Sequence, residues 1–166
     1  MYQVGDTVLY GVHGVCRIIG MEERKIDRRI VRYYVLQPKD QSSARFLVPA
    51  GNPAVAAKLR PLLSKKALEE LIRSEHTQSE TWIPDENQRK QHYRELISSG
   101  DRAALIRMVA TLHGHKAAQA AAGRKFHLCD ENFLRDAQRL LSAEFSLVLG
   151  IAPEQIGEYV ASVLGS

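Results

Sequence analysis

Trp82 is the only tryptophan among 166 residues, and cations cluster after it at Arg89, Lys90 and Arg94. An aromatic ring beside basic side chains suits nucleic acid. The apolar ring can unstack bases at a minor groove or a melted step while the charges hold the backbone. The competing assignment is a core residue, since most tryptophans are largely buried. Residues 77–89 are almost wholly polar, with Trp82 and Ile83 as their large apolar members, and this lowers the weight of the core assignment.

Other reactive side chains are sparse. Cys16 closely follows His13, a spacing that could pair a thiol with an imidazole, but a strand preceded by a turn need not bring the two side chains together. His113 and His115 flank Gly114; residues two apart on a helix face different ways, so shared metal ligation is not expected. Cys16 and Cys129 show no ligand spacing and are expected to be buried, without disulfide or metal. The sequence lacks a P-loop, GxGxxG, HExxH or GxSxG motif. A binding protein without cofactor is expected rather than an enzyme.

Charge is segregated along the chain. Residues 1–60 hold ten Lys/Arg against five Asp/Glu, and residues 87–125 hold eight against two. The basic band at 87–125 lies between acidic flanks, a distribution that fits a phosphate-binding face and also a solvated helix surface. With 45% hydrophobic and 25% charged residues the composition is that of a soluble protein. A membrane-length apolar run and a signal-peptide pattern are both missing, so a cytoplasmic protein is expected.

Two kinds of element must position these residues. From Val4 to about Leu62 the chain reads as short strands, Thr7–Tyr10, Val15–Met21, Ile30–Leu36 and Ala44–Pro49. Gly11–Gly14 is a turn, Glu22–Arg29 reads as a charged hairpin connection, and Pro38–Ser43 as a break. From Ser64 the period becomes helical. Ser64 caps a helix over residues 65–74, and Glu75–Thr81 reads as a linker. Pro84 falls in the first turn of a second helix closed by Gly100, and Asp101 caps a third that runs to about Ala122. Asp130 caps a strongly apolar fourth ended by Gly150, and Pro153 opens a short fifth. The expected fold is α+β: a small antiparallel sheet domain at 1–62, then a compact domain of about five helices at 63–166.

Several of these motifs, in this order, resemble the CarD family of bacterial RNA-polymerase-binding transcription regulators, the CarD/CdnL proteins. Val4-Gly5-Asp6-Thr7-Val8-Leu9-Tyr10-Gly11-Val12-His13-Gly14-Val15 is similar to the family's opening motif. Tyr33-Tyr34-Val35-Leu36 and Leu47-Val48-Pro49 follow at later strands. Trp82, Tyr93, Leu96, Ser99-Gly100-Asp101, Lys125-Phe126-His127-Leu128 and Asp130-Glu131 continue the pattern to Gly150. The resemblance implies a Tudor-like or SH3-like domain, shared with transcription-repair coupling factors, whose open edge pairs with the polymerase β subunit. Arg24 would be a basic contact, with Arg45, Phe46 and Leu47 on the edge strand; the alternative for Arg24 and Arg45 is a solvent-facing charge that protects an open edge. His13 and Gly14 are read as turn formers.

It further implies that Trp82 enters the minor groove at the upstream edge of the promoter bubble and opposes its closure. Arg89, Lys90, Arg124 and Lys125 would hold phosphates, without sequence readout. Here Ile83-Pro84-Asp85-Glu86 follows the tryptophan where some branches place basic residues, and Asp85 and Glu86 would repel phosphate. A bacterial protein, nucleoid-associated through polymerase and without a membrane partner, is implied. A monomer is expected, though an open strand edge permits domain swapping. The alternative is an adaptor whose sheet binds a peptide and whose helices only pack.

Overall fold

Strand period organises the first sixty residues and helix period the rest. The structure is a computed structural model that describes residues 2–39, 43–75 and 79–165. The middle of the Pro38–Ser43 break and of the Glu75–Thr81 linker therefore lies outside the described residues. The chain divides into two compact units, Met1–Leu62 and Leu63–Ser166.

In the first unit β1 (Thr7–Tyr10), β2 (Val15–Ile26), β3 (Arg29–Pro38), β4 (Phe46–Pro49) and β5 (Leu59–Pro61) form one antiparallel sheet, ordered β4-β3-β2-β1-β5. Val8, Cys16, Ile18, Tyr34, Leu36, Val48 and Leu59 form its core. The β2–β3 register shifts between Ile18 and Gly20, a bulge that bends the long hairpin.

The Glu22–Arg29 connection is shorter than expected. Residues 22–26 continue β2, Ile26 pairs with Arg29, and only Asp27 and Arg28 turn, with φ of 49° and 67°. Positive φ at both positions is the primed two-residue turn that matches strand twist. The distal arm is exposed on both faces, so its sequence carries no apolar alternation to mark it as strand. Two short elements were not expected: α1 (Pro53–Ala56), whose cap Asn52 accepts from the Ala54 amide at 3.0 Å, and β5.

The second unit contains α2 (Lys65–Glu75), α3 (Glu86–Ser99), α4 (Arg102–Ala121), α5 (Leu128–Leu149) and α6 (Ile156–Leu164), with a 3-10 turn at Pro153–Gln155 before the last. Their apolar stripes meet in a core of Leu68, Ile72, Tyr93, Met108, Leu112, Leu134 and their neighbours. Ser64 Oγ caps α2 by accepting from Ala67 N at 3.1 Å, and Asp101 caps α4 through Ala104 N at 3.2 Å. Gly100 and Gly150 end α3 and α5 in left-handed backbone, at φ 65° and 67°.

Two starts differ from the sequence reading. α3 begins at Glu86 with Asp85 as cap, accepting from Gln88 N at 2.9 Å, so residues 82–84 form a segment before the helix. Pro84 disfavours helical backbone at the residue before it. α5 begins at Leu128, and Asp130 is a buried first-turn residue rather than the cap. Deeper in the unit, buried Glu144 accepts from Arg102 at 2.6 and 2.7 Å and from the Leu63 amide at 3.2 Å. Among the described residues no single helix is long and apolar enough to cross a membrane.

Candidate nucleic-acid interface

Arg89, on the first turn of α3, organises the surroundings of Trp82. Its Nε and Nη2 donate to the two carboxylate oxygens of Asp130 at 2.9 and 3.0 Å. Its Nη1 donates to the carbonyls of Ile83 at 3.0 Å and Pro84 at 3.4 Å. The guanidinium carbon also lies over the Trp82 ring, 4.6 Å from its centroid. One cation therefore ties the start of α5, the segment before α3 and the indole. Burial works against Arg89's charge, but hydrogen bonds and charge from Asp130 overcome it and raise its pKa.

This geometry corrects the assignment of Arg89 to phosphate. The residue is 3% exposed, Asp130 is fully buried, and its charge is already compensated, so it supports Trp82 and does not face solvent. Lys90 is engaged as well, 3.0 Å from Glu86 one helical turn earlier. That pairing lowers the Glu86 pKa and offsets part of the acidity that follows the tryptophan.

His115, on α4, supplies the other contact. Its ring stacks on the Trp82 indole at a centroid distance of 3.6 Å and an interplanar angle of 6°. Phe126 follows at 6.2 Å from His115, and Lys116 Nζ lies 5.8 Å from the Phe126 centroid while pairing with Glu131 at 3.0 Å. Trp82 itself is half-buried against the helical core. Arg124 and Lys125 are exposed on the connector that leads to Phe126, just after Gly123 with φ 69°. The helical unit thus brings Trp82, Arg89, His115 and Phe126 into one contiguous cluster.

From sequence, His113 and His115 are two apart on a helix and make a poor metal pair. The helix continues through Gly114 and the two imidazoles do diverge, His113 to Gln138 at 2.8 Å and His115 to Trp82. Neither Asp130 as partner of Arg89 nor His115 as a stacking ring carried a local signal, because both contacts join distant parts of the chain.

In the sheet unit, Arg24 is exposed on the β2 arm and pairs with Glu22 at 3.3 Å. Arg45 precedes β4 rather than lying within it, and donates to its neighbour's carbonyl at 3.0 Å. Phe46 and Leu47 are half-buried on β4, an edge strand whose ladder partner is β3. Phe46 packs on His13 at a ring distance of 4.1 Å.

Residues 2–63 match the sequence profile of the CarD-like/TRCF RID domain. Residues 2–63 are a CarD-like/TRCF RID domain. The chain is also 24% identical to "Putative transcription factor YdeB" of Bacillus subtilis (strain 168), over 96% of this chain and 99% of that protein. Both findings support the CarD/CdnL family that the sequence motifs resemble. Within the RID domain, Cys16 is buried in the sheet core and His13 stacks among Tyr10 and Phe46. Both side chains serve packing. Among the described residues, no group of three or more His, Cys, Asp or Glu could hold a metal ion.

Proposed function

We propose that the chain is a noncatalytic transcription regulator. Its RID domain docks on the β subunit of RNA polymerase, and Trp82 contacts DNA at the upstream edge of the promoter bubble and stabilises the open complex. The observation that carries this reading is the mounting of Trp82: the sole tryptophan is half-buried, stacked on His115 and covered by a guanidinium fixed by a buried carboxylate. A ring held in one orientation loses little entropy on inserting at a distorted base step, which favours its use as a wedge.

Arg124 and Lys125 take the phosphate role in this reading, and Lys90 joins them on release from Glu86. Arg24, Arg45, Phe46 and Leu47 form the polymerase contact at the β4 edge and the hairpin arm, where backbone pairing supplies affinity. The effect on transcription is differential binding. A protein that prefers opened DNA shifts the closed-to-open equilibrium by its affinity ratio for the two forms and by no more.

The test is the lifetime of a promoter open complex formed by bacterial polymerase holoenzyme, measured alone, with this protein and with Trp82→Ala. The expected result is a longer lifetime with wild type that the variant does not produce. Equal lifetimes with both proteins, each bound to polymerase, would overturn the wedge in favour of an adaptor. Failure of either to bind polymerase would overturn the docking.

A further inference from the structure

We propose that His115 is the positioning residue for Trp82, and that the protonation state of its imidazole sets how firmly the indole engages DNA. The inference rests on the reading of Trp82 as a DNA contact. The 3.6 Å, 6° stack is the closest ring pair among the described residues. His115 follows Met108 and Leu112 along α4, and both are core residues. An aliphatic side chain there would satisfy packing alone. Instead the position holds a half-buried imidazole that forms no hydrogen bond or ion pair among the described residues. Its nitrogens are therefore available to solvent or to a bound phosphate.

The charged and titratable groups around it come from three further places: Arg89 on α3, Asp130 on the first turn of α5, and His127 on the connector before α5. Lys116 is its neighbour on α4 and is paired with Glu131. Asp130 is committed to Arg89, and among the described residues no carboxylate pairs with the imidazole. Burial lowers the His115 pKa below its usual 6.5; Asp130 opposes this, while Arg89 and His127 add to it. His115 therefore holds a proton less readily than an unperturbed imidazole.

The proton changes the contact in two ways. An imidazolium stacked on indole adds a cation–π attraction. It also places a charge not paired with a carboxylate beside the ring that meets DNA, where each neutralised phosphate releases counterions. Linkage fixes the sign. If bound DNA raises the imidazole pKa, lowering the pH must tighten binding by the same coupling.

Because Trp82 is the only tryptophan, its emission reads the stack directly. The experiment titrates full-length wild type, His115→Phe, His115→Gln and a His127→Gln control from pH 8 to 5 by fluorescence. It also measures binding to a labelled upstream-fork promoter duplex by anisotropy at pH 7.5 and 5.5. Wild type and His127→Gln should show a quenching step below pH 6.5 that both His115 variants lack. Wild type should bind the fork about three- to tenfold tighter at pH 5.5, a shift of roughly half to one pKa unit on binding, with a salt slope steeper by about 0.9. His115→Phe keeps the stack and should bind equally at both pH values, whereas His115→Gln, which removes the ring, should bind more weakly at both. A quenching step that survives in His115→Phe, or equal pH dependence of binding in wild type and His115→Phe, would overturn the proposal. Trp82→Ala binding the fork as tightly as wild type would instead overturn the DNA reading of Trp82, while the fluorescence step still reports on the stack.

Discussion

Replacing Asp130 with alanine tests the support beneath Trp82 most directly. Asp130 is fully buried and accepts from Arg89 at 2.9 and 3.0 Å, and Arg89 is itself 3% exposed. Without the carboxylate, Arg89 retains the carbonyls of Ile83 and Pro84 and the face of the Trp82 ring, partial charges against one full buried charge. Removing one partner of a buried pair costs about 3–5 kcal/mol. For a unit of roughly 100 residues that corresponds to a fall in Tm of about 12–20 °C. Urea denaturation followed by Trp82 emission reads the helical unit alone, since the RID domain has no tryptophan. The midpoint should fall by about 2 M with an unchanged slope. The double variant Arg89→Met/Asp130→Leu should recover most of the lost stability, because an apolar pair of similar volume replaces a buried ion pair at little net cost. A loss below about 1 kcal/mol in Asp130→Ala, the value of an exposed pair, would refute the assignment of Arg89 as a buried and compensated charge.

Arg102→Ala should also cost about 3–5 kcal/mol in the same assay, because it strands Glu144, which is 1% exposed and accepts from Arg102 at 2.6 and 2.7 Å. Arg28→Gly should stabilise the hairpin arm by about 0.5–1 kcal/mol by relieving the left-handed backbone at φ 67°, read as slower amide exchange from residues 24 to 31. Tyr93 is buried, which with the charge of Asp130 pushes its pKa up to about 12. Its contribution to stability is intact below pH 10 and is lost as pH rises from 10 through about 12. Phenolate absorbance should show Tyr93 ionising together with alkaline unfolding, and Tyr93→Phe should reduce that loss.

Much of the architecture was legible because it is written locally. Ser64, Asp101, Gly100 and Gly150 act at helix ends through backbone groups within a few residues of themselves. The apolar spacing of Leu134, Ala137, Leu141 and Phe145 marks the buried face of α5 from sequence alone. The hairpin arm was misread because a strand with solvent on both faces has no apolar side to alternate. α1 and β5 are too short to show a period.

The cluster around Trp82 was legible only in part. A lone tryptophan in a polar stretch announces itself. Whether a nearby arginine faces solvent or a carboxylate far along the chain depends on tertiary packing, and no spacing rule reports it. Arg89, Lys90, Arg124 and Lys125 look alike as cations. The structure separates them into a buried brace, an ion-paired helix residue and two exposed connector charges.

The bond from Arg89 to Asp130 also imposes an order in time. A ribosome that has delivered the chain only as far as the α4–α5 connector has made Trp82, Arg89 and His115 but not the carboxylate that locks them. The RID domain, complete by then, can fold during synthesis. The surface around the indole is organised only when α5 arrives, so a truncated nascent chain would carry a folded sheet domain with no finished tryptophan platform behind it.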